Sequence, residues 1–411
     1  MTVGATAASI FDADLPALAY DTEETPAEVY PRLRAAQRQA PIALGPHGPE
    51  VLSYRLARSV FRDARFQVPP GLNLLVQGIT SGPLWDKVTN SLLCLEGDAH
   101  QRLRSLTSKA FTPRAILRLH DTMVDVINEL VDRVADAGRC DVVTDIARPY
   151  PVPIICALLG APREDWQQFS WWADDVFKAF SFDVDLREIE PVVMRAWRQL
   201  DDYVDDMVAR RRHSLTDDLL SDLIRAEDDG DRLGATELRM LAGGLLLAGT
   251  DTTRNQVAAS VDVLCRHPEQ WELLRRRPEL AMPAVEETMR HSPIVCAALR
   301  LVVEDAELDG YLFPAGTAVL VNTLAANRDP AVYDDPDRVD ITREGAPAIL
   351  TFGGGAHYCL GANLARREIA EALSVLAGRM RNPRISGPAP WKPMVTLSGP
   401  TSLPIEFDAG R

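Results

Sequence analysis

Apolar positions along the chain recur with two different periods. From His100 to Met194 the pattern is mostly helical, with Leu117, Met123, Val126, Ile127, Leu130 and Val134 falling at helical spacing. Residues of this kind are core and carry no further role. The stretch Thr236–Arg266 reads as one long helix, with Thr236 as its N-cap and His267-Pro268 as its stop. About 30 residues at ~1.5 Å each give roughly 45 Å, enough to cross a domain. The middle of this helix is apolar nearly all round, which predicts a place at the centre of the protein. Strand signals are fewer. Val51–Phe66 opens with a short strand pattern and runs into a helical one. Leu299–Val303, Glu307–Leu308 and Ala318–Val321, separated by Gly310 and Pro314-Ala315-Gly316, predict a small antiparallel sheet. Gln67–Leu93, with Pro69, Pro70, Gly71, Gly78, Gly82 and Pro83, predicts a long turn-rich loop. A glycine-rich loop and a helix from about Leu360 to Arg379 follow. The fold class is mainly α with a minor β region. With no repeat and no low-complexity linker, residues 1–411 are expected to form a single domain.

Composition narrows the function. The chain is 46% hydrophobic and can bury a large core, and its net charge of -15 argues against general nucleic-acid binding. Six scattered cysteines, Cys94, Cys140, Cys156, Cys265, Cys296 and Cys359, form no CxxC pair or zinc spacing. Reduced thiols in a cytoplasmic protein are the simplest reading. The N-terminal sequence MTVGATAASIFDADLP has no basic start before a long apolar run. The apolar stretch around Met240–Gly249 falls short of the ~20 residues of a span. A soluble protein with no membrane anchor is expected.

Two segments carry chemistry. In Phe352-Gly353-Gly354-Gly355-Ala356-His357-Tyr358-Cys359-Leu360-Gly361, three consecutive glycines permit positive φ and close approach to another object. Cys359 sits where the loop becomes a helix, and a helix N-terminus favours the thiolate. A buried structural thiol, a nucleophile paired with a distant base, and a metal ligand all remain open on these residues alone. The second segment is Ala248-Gly249-Thr250-Asp251-Thr252-Thr253, in the long helix. Gly243, Gly244 and Gly249 each cost roughly 1 kcal/mol relative to Ala inside a helix, which suggests a packing or functional reason. Asp251 in an apolar helix is costly unless paired.

The string Phe352-x-x-Gly355-x-His357-x-Cys359-x-Gly361 resembles the haem-binding signature of cytochromes P450, and Gly249-x-Asp251-Thr252-Thr253 is similar to that family's oxygen-activation motif. Glu287-Thr288-Met289-Arg290 looks like the family's ExxR motif. Matching segments run from about residue 98 to 366 in the family's order. The resemblance implies the P450 fold, with haem between the long central helix and the Cys-loop helix. It makes Cys359 the iron ligand, with N–H groups around Leu360 and Gly361 directed at its sulfur. A thiolate ligand pushes electron density onto iron and favours O–O cleavage.

The resemblance also assigns supporting roles. His100, Arg104, Arg300 and His357 would contact the haem propionates. Thr252 would hydrogen-bond dioxygen and an ordered water, and Asp251 would link that water to bulk. Glu287, Arg290 and Arg338 would form a structural triad, although Pro336-Asp337-Arg338-Val339 departs from the family's commoner Pro-Glu-Arg-Phe. Leu92, Leu93, Gly244, Leu247, Ala248, Val295 and Leu397 would line a substrate pocket. The implied activity is a haem b monooxygenase that inserts one oxygen atom of O2 into a lipophilic small molecule, such as a terpenoid, steroid or fatty acyl compound. Electrons would come from NAD(P)H through a ferredoxin reductase and ferredoxin. Coupling, desaturation or peroxygenase chemistry is an alternative, as is a haem sensor or carrier. A non-haem Cys hydrolase is a remote third.

Overall fold

The computed structural model describes residues 8–21, 23–180, 184–228, 233–394 and 397–409. Met1 to Ala7, part of the N-terminal stretch discussed above, lie outside them. Helices dominate, and the longest runs Ala235–Arg266. Its N-cap is Gly234, whose N–H donates to Glu237 at 2.9 Å. Thr236 therefore falls in the first turn and is not the cap, because an acidic residue three positions into the helix closes it better. This central helix packs against Pro151–Leu159, Trp166–Phe177, Leu186–Arg212 and Ala362–Arg379. It is buried along most of its length, as its all-round apolar middle requires.

The strands fall into small sheets rather than the one antiparallel sheet expected. Ile42–Gly45, Gly48–Val51, Ala318–Asn322, Ala297–Val302 and Phe66–Gln67 pair in that order. The Gly48–Val51 strand runs parallel to Ala318–Asn322, with Glu50 opposite Leu320. Ala306–Leu308 leaves this sheet and forms a hairpin with Tyr311–Phe313. Asp309 and Gly310 both have positive φ there, the geometry of a two-residue hairpin turn. The 67–93 segment is less irregular than predicted: it contains the short helices Asn73–Val76 and Pro83–Thr89.

One stretch, Val142–Leu159, is long and apolar enough by composition to cross a membrane. It is 72% buried inside the protein, and it carries part of the surface against which the central helix packs.

The loop before the cysteine is anchored by a buried ion-pair cluster. Arg290 donates to both oxygens of Glu287, at 2.7 and 2.9 Å. It also donates to the carbonyls of Asn327, Pro336 and Arg338. The third charged member is Arg343, 3.2 Å from Glu287 and mostly buried. It is not Arg338, whose side chain is 63% exposed and faces Asp340. Arg338 contributes its backbone carbonyl, which both Arg290 and Arg343 use. Asn327 carries the clamp onward: its side chain binds the Leu350 N–H and the Thr351 hydroxyl, just before Phe352.

Removing one member of a buried, hydrogen-bonded charge cluster leaves the others uncompensated. Arg343→Ala is expected to lower unfolding free energy by about 3 kcal/mol. Arg338→Ala is expected to change it by less than about 0.5 kcal/mol. Urea titrations of the two variants beside the parent check this contrast.

Candidate haem and oxygen site

The cysteine loop is built by close backbone approach. Gly355 has φ +65°, and a Cβ there would lie 2.1 Å from the Phe61 carbonyl oxygen, so no side chain fits. The loop folds back so that the Cys359 N–H donates to the Phe352 carbonyl at 2.9 Å. The following helix starts at Ala362, with Gly361 as N-cap, two residues later than the pattern suggested. The Cys359 side chain is accessible, yet it lies deep enough in the protein mass that desolvation raises its thiol. A backbone hydrogen bond from Gly361 and the charges of Arg104 and Arg366 oppose that rise. All six cysteines are free.

The central helix, which packs against the helix that follows this loop, presents an open stripe. Gly244 and Ala248 are exposed and Thr252 is partly open, whereas Leu245, Leu246, Leu247, Thr250 and Asp251 are buried. Positions i, i+4 and i+8 share one face. The three glycines do different work. A Cβ at Gly249 would meet Ile155 at 2.9 Å, and one at Gly243 would make ordinary contact with Leu200. A Cβ at Gly244 would meet nothing within 4 Å. Leu247, expected at the pocket, belongs instead to the core.

Thr252 donates to the Ala248 carbonyl at 3.0 Å, one turn back. Asp251 is buried and ion-paired with Arg254, whose guanidinium also reaches Asp174 at 2.5 Å. Asp174 in turn pairs with Arg148 and is partly exposed. A chain of charges therefore links the helix interior to the surface. Lys392, from the C-terminal loop, donates to Asn255 at 3.0 Å, and burial lowers its pKa.

The four residues expected at the propionates converge. The rings of His100 and His357 stack with centroids 4.2 Å apart. Burial, His357 and Arg104 push the His100 pKa down to about 4. Arg300 is 8% exposed. It donates to its neighbour's carbonyl, lies over the Phe61 ring, and is pushed down to about 10 by burial. Among the described residues, neither Arg104 nor Arg300 has a carboxylate within ion-pair distance. Two poorly compensated guanidinium groups close to His100, His357 and Cys359 are what a planar dianion requires. The residues present fit haem: an accessible thiol, a helix stripe without bulky side chains, and poorly compensated cations.

A sequence profile described as "Cytochrome P450" matches residues 86–377. The chain belongs to the cytochrome P450 family. It is 36% identical over 400 residues to luteothin monooxygenase of Streptomyces thioluteus, covering 97% of both chains. It is 38% identical over 369 residues to the mycinamicin IV hydroxylase/epoxidase of Micromonospora griseorubida, covering 88% of this chain and 90% of that one. The solved structure of CalO2 superposes with a TM-score of 0.89 at 31% identity, covering 96% of this chain and all of the other. This P450 is a haem-thiolate monooxygenase that uses haem b, O2 and reducing equivalents delivered through partner proteins from a reduced pyridine nucleotide.

Of the other expected pocket residues, Leu93 is half exposed. Val295 and Leu397 are partly buried and pair with each other across a β-bridge. Leu92 lines a small cavity of about 130 Å³ with Met240 and Leu241. Sequence reasoning missed Glu368, which lies on the Cys-loop helix and is almost fully buried beside Thr253. Neither carboxyl oxygen makes a well-aligned hydrogen bond, and burial raises its pKa well above the usual range, favouring the protonated form. Its signal was an acidic residue four positions after Leu364, on the apolar face of the helix.

The sorting of the glycines has a direct readout. Gly243→Ala is expected to stabilise the holoenzyme by up to about 1 kcal/mol through helix propensity. Gly249→Ala is expected to cost about 1–3 kcal/mol through overpacking against Ile155. Gly244→Val should leave thermal stability nearly unchanged and alter substrate affinity. Thermal unfolding combined with ligand-induced Soret shifts distinguishes the three.

Proposed function

We propose that the open face of the central helix is the reaction surface and that Cys359 holds the haem iron opposite it. The observation that carries this reading is the stripe Gly244, Ala248 and Thr252, open positions on one face of a mostly buried segment. Bound haem supplies dioxygen activation, with the thiolate donating electron density to iron. The chain's own residues then have separate tasks. Gly361 directs an N–H at the Cys359 sulfur, while Arg104 and Arg366 lower the cost of its negative charge. Arg104, Arg300, His100 and His357 hold the propionates.

Thr252 donates a hydrogen bond toward the cleft on exchanging its Ala248 partner for a water or substrate oxygen. Asp251 passes protons to that water once its ion pair with Arg254 opens toward Asp174 and solvent. Glu368 is a second buried carboxyl beside the helix, in contact with Thr253, and its burial favours the protonated form. A carrier has no use for such proton-holding groups, which favours turnover over storage. Peroxide-driven chemistry needs no proton relay either. A hydrolase is disfavoured because His357 is stacked on His100 and turned toward Glu96.

The substrate is a lipophilic small molecule, seated between the stripe, Leu92, Leu93, Val295 and Leu397, and hydroxylation is the simplest outcome. Two relatives are named for oxidising single compounds, luteothin and mycinamicin IV, which supports a small-molecule substrate. The electron donor is a ferredoxin with its NAD(P)H-dependent reductase, in the cytoplasm, and the 411 residues act as one unit. The ferredoxin docks on the face nearest Cys359. Arg62, beside Gly355, and Arg114, in the short helix that packs on the Cys-loop helix, are exposed there.

Cys359→Ser should abolish the CO-difference band typical of thiolate-bound ferrous haem, and retention of that band would exclude Cys359 as the ligand. Thr252→Ala should uncouple NAD(P)H consumption from product and raise peroxide formation. Full coupling in that variant would sink the assigned role. Reversing charge at Arg62 and Arg114 should slow reduction by ferredoxin about tenfold or more at low salt, an effect that fades as ionic strength rises; unchanged stopped-flow rates would count against this docking face.

A further inference from the structure

Glu96 immediately precedes the helix Gly97–Ser108, which carries His100 and Arg104. One of its carboxylate oxygens faces two ways. It accepts the Val68 backbone N–H at 2.8 Å and lies 3.0 Å from Nε2 of His357. The contact with that ring nitrogen is close without being a well-aligned hydrogen bond. The Glu96 charge is also felt by His100 and Arg300. Val68 is buried and leads into Pro69-Pro70-Gly71. Gly71 packs so closely under Trp85 that a Cβ would lie 2.4 Å from the indole. A single carboxylate thus touches both the root of the 67–93 segment and the ring that faces the cationic cradle.

A third carboxylate beside two propionates is unfavourable on charge alone. If Glu96 acted only by its charge, removing it would tighten haem. Its contacts argue for the opposite. We propose that Glu96 is a positioning residue that couples haem seating to the fixing of the root of the 67–93 segment, by holding the Val68 backbone and lying against the His357 ring at once. This rests on the reading that His357 faces a propionate. By linkage, whatever firms the ring firms the loop root, and loosening either loosens the other.

The test uses holoenzyme of the parent, Glu96→Ala, Glu96→Gln, His357→Phe and the Glu96→Ala/His357→Phe double variant. Two quantities are measured: the rate of haem transfer to excess apomyoglobin, and hydrogen exchange at the amides of Val68, Gly71 and Leu72. Glu96→Ala should release haem about tenfold faster, the scale of an outer-shell support, and exchange these amides faster by a similar factor. Glu96→Gln retains an oxygen for the Val68 N–H and should keep the loop amides protected. In the His357→Phe background, adding Glu96→Ala should change haem release by less than about twofold, because the two residues act through one contact.

Haem release from Glu96→Ala that is no faster than from the parent overturns the coupling. So does faster release with unchanged exchange at Val68, and so does simple additivity with His357→Phe. Unaltered haem release in His357→Phe alone instead removes the propionate reading of that histidine. The two failures are therefore told apart.

Discussion

A helix that is buried on nearly every side can do surface chemistry only along a face that the rest of the protein leaves open. The central helix Ala235–Arg266 is held by helices on several sides, and in its middle an open stripe runs Gly244, Ala248, Thr252. Every other part of the site depends on that restriction. The cysteine loop must face this stripe, the cations must gather at the cleft's edge, and the acid beside Thr252 must reach solvent by a route other than the cleft. Asp251 points away from the stripe into the ion pair with Arg254 and Asp174. Separating an open alcohol from a buried, paired acid keeps the reaction surface small and apolar while leaving a polar path to the exterior.

The same logic governs where charge is tolerated inside the protein. Glu287, Arg290 and Arg343 are buried, but every charged atom has a partner, and together they fix loops that no regular secondary structure holds. Arg300 and Arg104 are different: among the described residues their guanidinium groups find carbonyls but no carboxylate. Groups that carry structure are satisfied within the chain. Groups that await a cofactor are satisfied only in part, and this contrast separates the two kinds of buried arginine more sharply than burial does.

Much of this was legible in the amino-acid order because the chemistry sits in short contiguous motifs. Phe352 to Gly361 and Gly249 to Thr253 each specify a local conformation, and the long helix announces itself by length and periodicity. What escaped were relations between distant segments. The matching string points to Arg338, but only packing shows that Arg343 turns inward while Arg338 turns to Asp340. Glu368 was hidden because one acid in an apolar stripe is read most simply as an irregularity. Leu247 lies one helical step from Ala248, yet that rotation carries it from the cleft into the core. Glu307–Leu308 reads from sequence as part of the same sheet as Leu299–Val303 and Ala318–Val321, whereas it pairs with Tyr311–Phe313, because strand pairing is non-local and alternation alone does not choose a partner.

The Arg290 clamp has a bearing on how such a chain can be recombined. Its guanidinium holds carbonyls at Asn327, Pro336 and Arg338, and Arg343 reaches back to Glu287 and to Asp334. The meander from Asn327 to Arg343 is thus measured against the helix Ala281–His291 like cord wound on a peg. Its length is set by those fixed points, so insertions here would be felt at Leu350 and Thr351 and then in the cysteine loop itself. A chimera that joined two relatives between residues 291 and 327 would part the peg from the cord. Exchange points before Ala281 or after Arg343 keep both from one parent.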